Sequence, residues 1–541
     1  MIKFLQEMVS EAAEKRPDSP SFRDGESTLS YAQLEQQSNQ LANLLLEYGL
    51  RPGDRVAVFL PRCTLTAVAV YGILKAGGVF VPVDPTFSVA AVNNVLQSCT
   101  ARFLLTQSSK VRTVRALVSS SEHPIEVLIG MSAEQLGDVP ALAAAVPWTA
   151  MAEFESCSSA SLAGHVSSES PAYIMYSSGS TGAPKGITHS HRSGLAYAKY
   201  SVEAYSVGHA DVIANHSPLN FDMSTFGYFS SCLAGASTLI IPAAYAKMPA
   251  SLAALCSEHR VTIWYSVPLA LTQMLRSGAL RECDLSSLRW ILYGGEPFPA
   301  SELRELMQLL PQAEVSNVYG PAEVNQCTIY NVPRGFIEAA ESNVPIGQVW
   351  KGAEGLLLSD RDEIVEDDQP AELVIASETM MLGYWGRPDL DSRAYYSDDK
   401  QGKATRYYRT GDWVCRRSDG NLLFLGRQDR QIKIRGYRVE LDAIEHELLK
   451  HPAIQEACVF WIARDGEKEI RSQVVPAGDS RLQGSELTEF LRDRISPYSV
   501  PTQIDIVESL PRNSNGKADR VSLRRLAEEA LLSSDGVVPC R

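Results

Sequence analysis

Apolar positions recur along this chain at two different periods. Over residues 31–49, Leu34, Leu41, Leu44, Leu45 and Leu46 fall mostly at helical spacing, which predicts an amphipathic helix. VAVFL (56–60) and VFVPVD (79–84) are short apolar runs near turn residues, and predict buried strands. Between them, TLTAVAVYGILKAGG reads as a helix stopped by Gly77 and Gly78. Strand, helix, strand at this spacing predicts parallel βαβ units. The alternation returns at 103–130 and at 253–296, where SLAALCSEH, VTIWYSVP, LALTQMLRSG and RWILYGG read as helix, strand, helix, strand. From about 344, shorter β-like runs take over: EGLLLSD, AELVIAS and NLLFLG. QIKIRGYRVELDAIEHELLKH then joins a strand to an amphipathic helix. Residues 155–170 are rich in Ser and predict a surface loop. The expected fold class is α/β, with a large body of packed βα subdomains on parallel sheets, a β-rich part and a small α+β C-terminal domain.

Composition narrows the class of molecule. The chain has 541 residues, 45% hydrophobic and 21% charged, which is ordinary globular usage and excludes disorder or coiled coil as its dominant state. A net charge of −14 argues against a general nucleic-acid binder. The ten cysteines form no C-x-x-C pair, so zinc-ribbon and thioredoxin-like motifs are absent and reduced thiols are the expectation. Glu7, Glu11 and Glu14 stand where a signal peptide would need an apolar run. The most apolar stretch carries Lys75 and is too interrupted to span a bilayer. A cytoplasmic enzyme with no membrane or nucleic-acid partner is expected. Charge is unevenly placed: residues 430–541 hold 17 Lys+Arg against 18 Asp+Glu, so nearly all the negative charge lies before them. That asymmetry predicts a separate C-terminal domain with a boundary near 426–430.

The segment YIMYSSGSTGAPKG (173–186) carries the clearest chemistry. An apolar strand runs into Ser177, Ser178, Gly179, Ser180, Thr181 and Gly182, then Pro184, Lys185 and Gly186. Glycines let backbone N–H groups turn toward an anion, hydroxyls add donors and Lys185 adds a point charge. The Walker A spacing is not met, because Pro184 occupies the position of its second Gly.

SSGSTGAPKG resembles the phosphate loop of the ANL superfamily: acyl-CoA synthetases, firefly-type luciferases and the adenylation domains of nonribosomal peptide synthesis. Further motifs of that family follow the expected order: LSYAQL, LKAGGVFVPVDP, FDMS, NVYGPAE, AELVIASETMMLGYW, YRTGDW, GRQDRQIKIRGYRVELDAIE, a degenerate SPYSVP, and NGKADR. They span residues 29–520, and the C-terminal forms look like the amino-acid adenylation branch. The resemblance implies a reaction of carboxylate with ATP to give an acyl adenylate and pyrophosphate, followed by transfer to a thiol. It implies a large domain over 1–428 and a small, mobile domain over 429–541, hinged at Asp429. Catalysis must hold a poor nucleophile in line and neutralise charge developing on the α-phosphate. By resemblance Lys517 supplies that cation, and Glu323 holds Mg²⁺. Tyr319 would lie against adenine, Asn317 at its edge, Asp412 on the ribose hydroxyls and Arg427 on ribose or phosphate. Gly295, Glu296 and Gly320 complete the nucleotide set with Lys185 and the loop. Gly436 would line the thiol path after rotation of the small domain. One departure stands out: Ala322 occupies the place of the usual Thr in YGPTE, so one hydroxyl donor is lost.

The resemblance also assigns the acid pocket. Asp222 would bind a substrate α-ammonium, which selects amino acids over plain fatty or aryl acids. The other positions are Met223, Phe226, Tyr265, Leu292, Gly294, Val318, Gln326 and Cys327, with Lys517. Charged substrate side chains would be buried unpaired there. Met223, Phe226 and Tyr265 take up volume, Gly294 leaves room, and a small neutral amino acid is expected. Tyr265, Leu292 and Cys327 resemble the prolyl-carrier-protein ligases, whereas Phe226 and Gln326 depart from them. L-Proline comes first, with alanine, glycine or another small neutral amino acid behind it. Gln326 is either turned away or reads a polar substrate. Only 24 residues follow Lys517, so the phosphopantetheine acceptor is expected on a separate peptidyl carrier protein. An acyl- or aryl-CoA synthetase is the competing enzyme reading and a catalytically dead homologue the third.

Overall fold

The computed structural model describes residues 2–120, 122–137, 142–153, 166–177, 184–338, 343–366, 368–398, 404–427, 430–464, 467–478, 482–512 and 518–534. Most of the Ser-rich stretch expected to form a surface loop lies outside them. The chain divides into two compact units. The first comprises Met1–Pro85, Leu96–Tyr176 and Gly186–Gln428, and the second Thr86–Val95, Ser177–Lys185 and Asp429–Arg541.

Three sheets organise the first unit. In one, parallel strands Val212–Asn215, Ile263–Ser266, Trp290–Gly294 and Glu314–Tyr319 lie side by side, and Thr328–Asn331 then Gln348–Val349 extend it antiparallel. In a second, Arg55–Val58 sits between parallel partners Val79–Pro82 and Phe103–Leu105, with Val127–Ile129 beyond. Helices Tyr31–Glu47 and Thr64–Lys75 contribute Leu34, Leu41, Leu45, Val68, Tyr71 and Leu74 to a core that also takes Phe22 from the first sheet and Val56 and Phe80 from the second. The expected βαβ alternation is therefore present. The first of these helices begins at a capping box, in which the Ser30 hydroxyl accepts from the Gln33 N–H and the Gln33 side chain accepts from the Ser30 N–H. The third sheet is antiparallel and pairs Ala353–Leu358, Ala371–Ser377, Thr405–Arg416 and Leu422–Arg427 in succession.

The second unit packs helix Leu441–Leu449 against an antiparallel hairpin, Ile454–Arg464 with Glu467–Pro476. Buried Glu445 ties it together, accepting from Arg430, Arg520 and the Val459 N–H. One local expectation is corrected. Residues 431–440 hold two strands, Gln431–Ile434 and Tyr437–Glu440, paired antiparallel before the helix begins. Arg435 and Gly436 turn the chain with φ of 52° and 82°, both left-handed, so Gly436 is needed by the turn itself.

Candidate active site

Three nucleotide candidates converge in the first unit. Tyr319 ends the strand Glu314–Tyr319, and its hydroxyl donates to Asp412 Oδ2. Arg427 donates through Nη1 to Asp412 Oδ1 at 2.8 Å and to the Thr410 carbonyl at 2.8 Å. Asp412 and Arg427 are register partners on adjacent strands, which is why residues 15 apart meet. Burial, then the Asp412 charge, pushes the Tyr319 phenol well above its ordinary range. Asn317 lies two residues before Tyr319, buried, with its amide donating to the Pro345 carbonyl at 2.8 Å. Gly295 has φ of 89°, and Glu296 beside it is half-buried. At Gly320 a Cβ would come 1.7 Å from the Asn325 carbonyl oxygen, so only glycine fits this turn.

Glu323 is fully buried rather than solvated. Its Oε1 accepts from the Tyr384 hydroxyl at 2.7 Å, and its carbonyl accepts from the Met381 N–H at 2.7 Å. No cluster of three or more His, Cys, Asp or Glu able to hold a metal occurs among the described residues. One carboxylate still fits Mg²⁺, which takes most of its ligands from phosphate oxygens and water. The preceding residue, Ala322, is held through its main chain: its carbonyl lies 2.9 Å from His189 Nε2. The His189 ring stacks on Tyr173 at 4.9 Å, and burial lowers its pKa to about 4, so the imidazole is neutral and donates. The sequence offered no signal for that contact, which joins residues 133 apart.

The pocket candidates arrive from adjacent strands. Tyr265 and Leu292 are register partners, as are Gly294 and Val318. Phe226, Tyr265, Leu292 and Val318 are buried in one cluster, with Met223 packed against it. Phe226 meets Tyr265 edge-on, with ring centroids 5.7 Å apart. Phe226 opens a π-helical turn, Phe226–Ser230, a local widening that is frequent at functional sites. A Cβ on Gly294 would come 2.2 Å from the Val318 carbonyl oxygen, so this glycine answers to close backbone approach more than to pocket volume. Cys327 is buried elsewhere, in a cluster with Ile187 and Val324. Gln326 is buried and donates through Nε2 to the Tyr205 hydroxyl at 3.2 Å. Asp222 is half-buried, its Oδ1 accepting from the Met223 N–H at 2.9 Å. Its charge acts, after burial, to raise the phenols of Tyr173, Tyr197 and Tyr265. Tyr197 and Tyr205 share one face of helix His191–Tyr205; sequence reasoning missed both, because a buried tyrosine in a helix reads as core.

In the second unit the Lys185 ammonium lies 3.7 Å from Glu440 Oε1, so the loop cation has a carboxylate partner. Lys517, Asp429, Ser178, Gly179, Ser180, Thr181 and Gly182 lie outside the described residues; Ser177 is described and its hydroxyl is buried without a partner.

Known proteins match this arrangement over nearly the whole chain. A model for AMP-binding enzymes matches residues 9–385, and one for the AMP-binding enzyme C-terminal domain matches 443–517. An L-proline–[L-prolyl-carrier protein] ligase of Streptomyces coelicolor is 32% identical over 514 residues, covering 94% of this chain and 93% of that protein. A protein of the same name from Pseudomonas fluorescens is 29% identical and covers 97% and 100%. Among solved structures, the Vibrio cholerae adenylation domain AlmE, in complex with glycyl-adenosine-5'-phosphate, superposes with a TM-score of 0.84 at 21% identity, covering 98% of each chain.

Proposed function

The chain belongs to the AMP-binding enzyme family, the ANL adenylate-forming enzymes, and we propose that it activates a small neutral amino acid with ATP and loads it on a carrier protein. It is an ATP-dependent amino acid adenylating ligase. The observation that carries the substrate class is the pocket: buried Phe226, Tyr265, Leu292 and Val318 in one cluster, with Asp222 the carboxylate beside it. Asp222 binds the α-ammonium, and the aromatic wall excludes water and charged side chains. Asp412, oriented by Arg427 and Tyr319, accepts from the ribose hydroxyls. Glu323 holds Mg²⁺, which would neutralise phosphate charge when bound. Lys517 supplies the cation for adenylation, and Lys185 assists at the phosphates once released from Glu440. Gly436 lines the path of the phosphopantetheine thiol in the second step, with Asp429 as hinge between domains 1–428 and 429–541. L-Proline is the first substrate to test, because two relatives carry it in their names and Tyr265, Leu292 and Cys327 resemble that group.

ATP–pyrophosphate exchange across the protein amino acids, benzoate and a fatty acid tests the reading. Exchange with small neutral amino acids is expected, and exchange confined to the non-amino acids would overturn it. Loading of a phosphopantetheinylated carrier protein in preference to free CoA is expected in the second step.

A further inference from the structure

Among the described residues, 431–440 form a sheet of two strands, Gln431–Ile434 and Tyr437–Glu440. A hairpin without a third strand is marginal by itself and takes its shape from what its side chains pack against. Its base is secured by Ile432 and Val439, which are buried in the core of the second unit. Its tip has less to hold it. The Arg435 side chain is 63% exposed and meets Glu467 in a surface ion pair, a weak tether, and Gly436 has no side chain. The other two turn residues, Ile434 and Tyr437, are register partners. Ile434 enters the core, and Tyr437 lies flat on the ring of Tyr498, with centroids 3.8 Å apart and planes 21° from parallel.

Tyr498 belongs to SPYSVP (496–501), which supplies none of the residues placed in either half-reaction above. Its backbone is well tied. Pro497–Ser499 is a single 3₁₀ turn, in which Pro497 fixes φ and the Ser499 N–H donates to the Ser496 carbonyl at 2.8 Å. Just beyond, the Thr502 N–H donates to the Ile470 carbonyl at 2.9 Å, and Gln503–Ile506 joins the strand Glu467–Pro476 in parallel. A ring carried on that segment is a firm surface against which the hairpin tip is set. Resting on the assignment of Gly436 to the thiol path, we propose that Tyr498 is a positioning residue for the transfer step: through its stack on Tyr437 it fixes the turn at Arg435–Gly436. A path that admits a thiol beside a glycine backbone tolerates little displacement, and a misplacement of about 1 Å caused far from the chemistry costs roughly 100-fold in rate. Adenylation draws on Lys517 and not on Gly436, so it does not depend on the tip.

The test separates the half-reactions in the full chain. ATP–pyrophosphate exchange with the amino acid that exchanges best reads adenylation. Single-turnover transfer from the preformed adenylate to 4'-phosphopantetheine, the thiol arm of the acceptor, reads the second step. Tyr498→Ala should slow transfer by roughly 10- to 100-fold and leave exchange near the wild-type rate. Tyr498→Phe, which keeps the flat ring, should transfer as the wild type does. Retained exchange also reports a folded small domain, because Lys517 belongs to the same stretch, 429–541. If Tyr498→Ala fails to fold, Tyr498→Leu, with bulk but no flat face, carries the same expectation. Gly436→Ala, which strains the turn itself, should slow transfer selectively. Transfer that Gly436→Ala slows and the Tyr498 variants leave unchanged overturns this inference and leaves the assignment of Gly436 intact. Transfer untouched by either overturns both. Equal loss in the two half-reactions overturns the inference as a general loss of structure, and a Phe variant as slow as the Ala variant overturns it in favour of the hydroxyl.

Discussion

Asp412 shows how a single carboxylate is aimed. Arg427 holds one oxygen at 2.8 Å and the Tyr319 hydroxyl holds the other, so the group has little freedom left. Asp412→Asn keeps the shape but removes the charge that both partners answer. The expected result is a rise in the KM for ATP of roughly 10- to 100-fold, the value of one or two charge-assisted hydrogen bonds, with the KM for the amino acid little changed. A shift confined to the amino acid KM would place Asp412 in the other pocket. Tyr319, Asp412 and Arg427 were candidates in the sequence because each sits in a short motif that resembles one of the family's, and the structure brings the three side chains together. The Gln326–Tyr205 bond was not legible in the sequence, because it joins positions 121 apart and nothing local marks either partner. Glu323 was legible as a ligand candidate but not as a fully buried group, since its cover comes from Tyr384.

Helices Tyr31–Glu47 and Thr64–Lys75 cross closely because Gly72 faces Leu41. A Cβ at position 72 would come 2.7 to 2.9 Å from three atoms of the Leu41 side chain. Gly72→Ala should therefore destabilise the first unit by about 1–3 kcal/mol in chemical denaturation, the usual cost of overpacking. Exchange kinetics should hardly change, because neither helix supplies a site residue. Elements of this kind were legible because the 3.6 and 2.0 periods are written directly in the apolar positions. The hairpin at 431–440 was not, because Arg435–Gly436 is an uncommon turn pair and the flanking charged residues hide the alternation. The π-helical turn at Phe226 was equally hidden, since one widened turn leaves no period of its own.

At the scale of the whole molecule, acidity and buried imidazoles set the response to pH. His189, His191 and His216 are each lowered from 6.5 to about 4, chiefly by burial. The unfolded chain therefore binds more protons than the folded one between those values, and the stabilisation is complete only above pH 6.5. The melting temperature should be nearly flat above that point and fall as the pH drops through 6 toward 4, with proton uptake on unfolding in the same window. A flat profile down to pH 4.5 would show these rings to be protonated in the native state. Nearly all the net negative charge lies before residue 430, and no helix among the described residues is long and apolar enough to cross a membrane. One of those imidazoles has a further consequence. His189 grips the Ala322 carbonyl, so the position of Glu323 is inherited from the main chain and not from the side chain at 322. Placement and chemistry are thereby uncoupled at this residue. A change of the side chain at 322 therefore leaves the neighbouring carboxylate where it stands, so the chemistry offered at that residue can vary while the architecture is kept.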